Sequence, residues 1–280
     1  MSRLMGARVR VLLAIPLLLA AKSILAVPQG RELLPSGEGI AIRHAYYALD
    51  YNVHHKQANW VYHRLTGSEG RVSRSNNFRA DPLLGALSAT PADYARSGYD
   101  RGHLCPAADM AFDKTAMSET FYMSNISPQL AAFNRGIWKK IEESVRQRLQ
   151  DGDTLHVVTG PLFRDNKGSI GASRVTVPGA FYKICYSPAR RQMIAYVVPN
   201  ERSEQPVEHH VVPVDSVEKW TGIDFFPGLP DELEQLLEAD TLAHDASPPA
   251  GEEQQEIIIL LLIIIVLVFA LFWWSARRRR

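Results

Sequence analysis

The stretch Asp100-Arg101-Gly102-His103-Leu104-Cys105-Pro106 sets a carboxylate, a guanidinium and an imidazole within four positions. Imidazole titrates near neutrality, so a positioned His103 can take a proton from water at working pH. Arg101 offers a permanent charge whose planar fork fits phosphate oxygens, and Gly102 allows a tight backbone between them. The plain alternative is a structural histidine in a turn. A second constellation begins at Asn134. On an ideal helix Asn134 lies in line with the apolar stripe that follows it, and Glu142 falls about 80° round, two turns on. Both can face the buried side. An amide oxygen and a carboxylate suit Mg²⁺, which keeps most of its waters and needs only one or two protein oxygens. An N-cap role for Asn134 and a solvated helix edge for Glu142 stay open, because the spacing alone does not choose.

The elements that must position these residues read as a mixture of strands and helices. Ile137, Trp138, Ile141, Val145 and Leu149 recur at helical spacing, which predicts a helix over Gly136–Leu149. Leu155–Thr159 is a β-branched run ended by Gly160 and Pro161, hence a strand. Ala180–Tyr186 and Gln192–Val198 flank Ser187-Pro188 and predict an antiparallel hairpin. Pro230–Asp240 carries Leu233, Leu236 and Leu237 on one side, as a short acidic amphipathic helix would. No regular βαβ alternation appears, so the class is α+β.

The ends predict a different environment. Residues 1–26 show a basic stretch, an apolar run over Val11–Ala21 and small residues around Ala26, the pattern of a secretory signal peptide. A mitochondrial presequence is the rival, since the segment is Arg-rich and lacks acids. Residues 241–256, with Ser247, Pro248, Pro249, Gly251 and several acids, read as a linker. Residues 257–274 are an unbroken apolar run closed by Trp273 and Trp274, and the basic tail, residues 275–280, follows. The expectation is a single-pass membrane protein whose globular domain, residues 27–240, lies outside the cytoplasm. A bacterial periplasmic side is the first choice and the mitochondrial inner membrane the alternative.

The chain has 280 residues, 31 basic and 30 acidic, which on its face excludes a strongly basic nucleic-acid binder. The balance is uneven, however. Residues 27–256 hold 23 basic and 30 acidic residues, and residues 27–230 hold 23 and 21. A near-neutral core requires any phosphate attraction to be local. Two cysteines are too few for a disulfide scaffold or a Cys-rich zinc site. Cys105 and Cys185 are either bonded to each other or two buried thiols. The pairs His54-His55 and His209-His210 would diverge on a strand and are expected to serve surface or core roles.

Longer blocks resemble a known family. Tyr99–Met110 reads YDRGHLCPAADM and Thr120–Glu142 reads TFYMSNISPQLAAFNRGIWKKIE. With ANWVYHRLTG (Ala58–Gly67), VVTGPLF (Val157–Phe163), VPGAFYKI (Val177–Ile184) and VEKWTGIDFFPGLPD (Val217–Asp231), they resemble the DRGH family of DNA/RNA non-specific endonucleases, ββα-metal (His-Me finger) nucleases with a central antiparallel sheet flanked by helices. The likeness runs over roughly Tyr46–Leu237. It implies His103 as general base, Arg101 and Asp100 completing the motif, Asn134 as direct metal ligand and Glu142 as support to the metal through water. A family arginine upstream of NFRADP (Asn77–Pro82) falls on Asn76, with Arg74 and Arg79 nearby; both are candidate phosphate residues, Arg74 the first choice. The implied cofactor is Mg²⁺, with Mn²⁺ as the alternative. The implied partners are DNA and RNA, and relatives are often homodimers; the membrane, engaged through the C-terminal helix, is expected from the apolar run and not from the resemblance. The implied products carry 5′-phosphates. A non-catalytic nucleic-acid-binding domain and a phosphodiesterase for small nucleotides are the competing functions.

Overall fold

Strands in the centre of the chain alternate which neighbours they meet, residue by residue. Val157, Phe181, Cys185 and Tyr196 join one hydrophobic cluster, while Val158, Tyr182, Ile184 and Ala195 join another. Side chains of a strand point alternately to its two faces, so this sheet is buried on both sides. The computed structural model describes residues 33–67, 71–149 and 152–239. The expected signal peptide, linker, membrane helix and basic tail lie outside the described residues. Among those described, no helix is long and apolar enough to cross a membrane.

The strands are β1 (Ile40–Arg43), β2 (Tyr47–Asn52), β3 (Gln57–Thr66), β4 (Asp100–His103), β5 (Ile126–Gln129), β6 (Thr154–Leu162), β7 (Ser169–Ile170), β8 (Val175–Thr176), β9 (Ala180–Ser187), β10 (Gln192–Pro199) and β11 (Val211–Val212). The helices are α1 (Lys114–Glu119), α2 (Ala131–Phe133), α3 (Lys139–Gln147), α4 (Val214–Thr221) and α5 (Asp231–Glu238). Seven strands form one sheet in the order β1-β2-β3-β6-β9-β10-β11, antiparallel at every step. The pairs β4-β5 and β7-β8 form two small antiparallel sheets. The mixed architecture with a central antiparallel sheet is the α+β class read from the sequence, and the expected β9-β10 hairpin forms, although Ser187, expected in the turn, is the last residue of β9 and pairs with Gln192.

One face of the sheet packs α3 through Ile141 and Val145, with Phe133, Ile137 and Trp138 beside them. Phe133 stacks on both Trp138 and Phe181 at 5.2 Å, and Trp138 meets Phe181 at a tilt, 5.8 Å away. The other face packs α4 and α5 through Val214, Val217, Leu233 and Leu237, with Phe225 and Phe226 between them.

Three expectations need correction. The strand read as ending at Thr159 runs on through Gly160 and Pro161 to Leu162. Its pairing with β3 stops at Thr159, so Pro161 sits where the strand is paired only with β9 and a missing N–H is tolerated. A Cβ at Gly160 would come within 2.3 Å of the Asn59 carbonyl and the Tyr182 hydroxyl, so this glycine marks a close crossing. The helix expected over Gly136–Leu149 is regular only from Lys139. Residues Asn134–Trp138 form a widened π-type turn, and Gly136 leaves helical geometry at φ −103°, ψ −112°. Finally, the histidine pairs are not on strands. His54 and His55 lie in the turn after β2, and His209 and His210 in a 3₁₀ turn; their rings meet edge-on at 5.0 and 5.7 Å.

Candidate active site

The motif Asp100–His103 is itself a strand rather than a turn. As β4 it pairs with β5, Asp100 opposite Gln129 and His103 opposite Ile126. Gly102 has a steric reason to be glycine: a Cβ there would lie 2.1 Å from the Gln129 side chain. Period-two alternation puts Arg101 and His103 on one face of this hairpin and Asp100 on the other.

On the first face, the His103 ring is wedged between Phe78, 5.6 Å away, and Phe121, 4.9 Å away and edge-on. It is only 9% exposed, and its Nε2 has no hydrogen-bond partner among the described residues. Withdrawal from water, and then the Arg74 charge, push its pKa down to about 3, so the ring is neutral. Arg101 lies over the opposite aromatic neighbour, its guanidinium carbon 5.2 Å from the Phe78 ring centre, and donates from Nη2 to the Pro91 carbonyl at 3.1 Å.

On the other face, Asp100 binds the widened turn. Asn134 donates from Nδ2 to Asp100 Oδ2 at 2.9 Å, and Arg135 forks onto both oxygens at 2.7 and 2.9 Å. Burial alone would raise the Asp100 pKa; the Arg135 and Asn134 hydrogen bonds outweigh it and hold the carboxylate ionised. Held by its nitrogen, the Asn134 amide turns its oxygen away from Asp100. Asn134 is therefore not an N-cap; it follows α2 inside the turn.

Glu142, in the first turn of α3, is half-buried. Desolvation pushes its pKa up to about 7; Lys183, Arg146 and Arg74 favour its charge, and Asp109 opposes it. Arg74 feels both His103 and Glu142, which places these two groups in one electrostatic neighbourhood. The two upstream arginines part company here. Exposed Arg74 lies 4.9 Å from the Phe121 ring centre, with its Nε donating to Asn76 Oδ1 at 3.0 Å. Arg79 is spent on structure: it donates to the Asn77 and Ser118 carbonyls at 3.0 and 2.9 Å and stacks on Tyr122 at 3.9 Å.

Beneath the site lies a polar network that patterns in the sequence did not reveal. His63, fully buried, meets Asp109 at 3.0 Å, and Asp109 receives Arg146 at 2.8 Å. Lys183, 1% exposed, donates to Thr159 Oγ1 at 2.6 Å and sits 5.2 Å from the Trp138 ring centre. Asn125 clamps the chain after His103, accepting from the Cys105 N–H at 2.8 Å and donating to the Cys105 carbonyl at 3.0 Å. His63, Asp109, Asn125, Thr159 and Lys183 all stood within blocks quoted for the family resemblance, but nothing in their spacing marked them as a network, and Lys183 lies in an otherwise apolar strand. Cys105 and Cys185 are both buried free thiols, which closes the disulfide alternative in this structure.

A neutral buried imidazole on a β-hairpin, with an amide and a carboxylate on the helix that follows, is the equipment of a hydrolase acting on phosphodiesters. The sequence profile of the DNA/RNA non-specific endonuclease family matches residues 32–232, and the chain belongs to that family. Endonuclease G of Bos taurus, a mitochondrial protein, is 36% identical over 66% of this chain and 68% of its own length. Nuclease C1 of Cunninghamella echinulata var. echinulata is 35% identical over 72% and 88%, respectively. In the solved EndoG/EndoGI complex, one chain is 33% identical and superposes with a TM-score of 0.64, covering 69% of this chain and 88% of that one. The protein is a nucleic-acid-hydrolysing enzyme.

Proposed function

We propose that the chain is a membrane-anchored, divalent-metal-dependent endonuclease that cuts DNA and RNA irrespective of sequence and leaves 5′-phosphates. The observation that carries this reading is His103: a buried, neutral ring on β4, within reach of the Arg74 charge. β4, β5 and the helical segment from α2 to α3 form the ββα unit that supports it.

The residues present fit a metal. A half-buried carboxylate pushed up to about 7 is one whose charge its surroundings only partly sustain, and an amide oxygen is turned away from its anchoring carboxylate. These are hard oxygen donors of the kind Mg²⁺ or Mn²⁺ takes. Asn134 would hold the ion directly and Glu142 through water. When bound, the ion supplies Lewis-acid stabilisation of charge on the phosphate and the leaving 3′ oxygen.

The side chains do the rest. His103 accepts a proton from a water beside the scissile phosphate, and the hydroxide attacks phosphorus in line. A phosphate anion bound beside the ring favours its protonated form and draws its pKa back toward working pH. Arg74 and Arg101 bring positive charge to that anion. Asp100 orients Asn134. Recognition through the backbone accounts for indifference to base sequence.

The charge pattern of the ends supports a domain, residues 27–240, held outside the cytoplasm by the segment 257–274, on the bacterial periplasmic side or, alternatively, the mitochondrial inner membrane. The deciding assay is Mg²⁺-dependent cleavage of plasmid DNA and of RNA by the full chain and its His103→Ala variant, with a small phosphodiester in parallel. Cleavage that survives His103→Ala overturns the assignment. Fractionation with protease protection tests the anchor: a chain recovered free of membranes removes it.

A further inference from the structure

Helices α4 and α5 lie against each other on the sheet face opposite the active site. Asp215 and Glu218 of α4 and Glu238 of α5 turn toward one another there, with their ligand oxygens all within 4.8 Å. Two oxygens on opposite sides of a Ca²⁺ ion stand roughly 5 Å apart at the usual bond lengths, so the three carboxylates can share one ion.

Convergent acids on a surface mean little alone, and here a second observation bears on them. Glu238 is 6% exposed, turns a carboxylate oxygen into the cluster, and its Oε1 has no hydrogen-bond partner among the described residues. Burying a carboxylate without a partner is costly unless a proton or a cation compensates it. The ion pairs among the described residues involve none of these three acids. Glu218 accepts from the Phe225 N–H at 2.8 Å, which fixes it to the loop between the helices. Glu234, one turn before Glu238, also has a buried oxygen without a partner. Burial, and then mutual repulsion among the acids, push Glu238 up to about 9 and Glu234 up to about 7.

We propose that Asp215, Glu218 and Glu238 form a structural site for a hard divalent cation of the Ca²⁺ class, which staples α5 onto α4. An all-carboxylate donor set without nitrogen or sulfur selects hard cations over zinc or copper. Three protein ligands leave the remaining positions to water. The staple would hold α5, the last described element, against α4. The inference does not depend on the catalytic reading.

The test uses the full chain carrying Asn134→Ala, which removes the metal ligand proposed for the active site. Ca²⁺ alone is titrated against chelator-treated protein. The expected result is one ion bound per chain by calorimetry and a Tm rise of roughly 5–10 °C at a hundredfold excess over Kd. Adding Glu238→Gln should abolish both, and adding Asp215→Asn, at an exposed position, should weaken binding at least tenfold. Glu238→Gln in the chain with Asn134 intact should leave nuclease activity unchanged. A Ca²⁺ response equal in parent and variants, or none in the parent, overturns the proposal. The second outcome would mean that a proton, not a cation, compensates Glu238.

Discussion

Glu142 and Glu238 are two carboxylates withdrawn from water on opposite faces of one sheet, and they differ in their company. Around Glu142 stand Lys183, Arg146 and Arg74, with Asp109 the only opposing charge among its principal neighbours, and its pKa rises to about 7. Around Glu238 stand Glu218, Glu234, Asp215 and Asp224, and its pKa rises to about 9. The active-site face sustains charge by pairing it within the fold. The α4–α5 corner collects charge of one sign and requires something from outside to balance it. The first arrangement suits a group that must respond to a passing phosphate; the second suits a fixed joint.

The sharpest way to break this comparison is at His103. His103→Ala should lower cleavage by about 10²–10⁴-fold while leaving DNA affinity within a few-fold, by fluorescence anisotropy. An equal loss from Glu238→Gln would erase the distinction between the two faces. Glu142→Gln should lower activity about 10–100-fold and weaken the apparent affinity for Mg²⁺, as removal of a group acting through metal-bound water does. Metal titration of the cleavage rate reads this directly. The arginines separate next. Arg74→Ala should lower kcat/KM with little change in Tm. Arg79→Ala should lower stability by about 1–3 kcal/mol, because it strips partners from buried or half-buried groups at Ser118 and Tyr122, while sparing the rate per folded molecule.

The remaining effects are in pH, and they have opposite signs. His156, buried against Tyr62, has its pKa pushed down from 6.5 to about 4, by burial first and then by Arg64. Between those values the unfolded chain takes a proton that the folded chain refuses. Stability is therefore intact above pH 6.5 and falls as the pH drops through the window, by at most about 1.4 kcal/mol per pH unit. Glu238 works the other way. Between its usual 4.5 and about 9 the folded chain keeps a proton that the unfolded chain has lost, so stability falls as pH rises. In chelator, Glu238→Gln should gain on the parent steadily across that range. Urea unfolding of both proteins over the two windows checks both slopes.

Much of this was legible in the sequence, for reasons particular to each element. The β9-β10 hairpin was visible because two β-branched and aromatic runs flank a turn. The face of α3 was visible because Ile141 and Val145 keep helical spacing. β4 was read as a turn because Asp-Arg-Gly-His has neither alternation nor bulk; only pairing with β5 makes it a strand. The parting of Arg74 from Arg79 depends on where Phe121, Ser118 and Tyr122 lie, about forty residues away in the chain. The carboxylate corner was equally out of reach, since Asp215 and Glu238 become neighbours only when α5 folds back on α4. Lys183 was overlooked because buried lysines are rare and its strand is otherwise apolar.

The widened turn at Asn134–Trp138 has a consequence for insertions and deletions. Each residue added to or removed from a helix rotates everything beyond it by about 100°. Asn134 stands at the start of this turn and Glu142 beyond it, so their relative phase is set by the number of residues between them. Deleting Gly136, which leaves helical geometry, would keep Asn134 and Glu142 in the chain but change the path between them and so their relative placement. A length change of one residue here should therefore be far more damaging than most substitutions, and the spacing N-x₇-E works as a gauge of register that composition cannot replace.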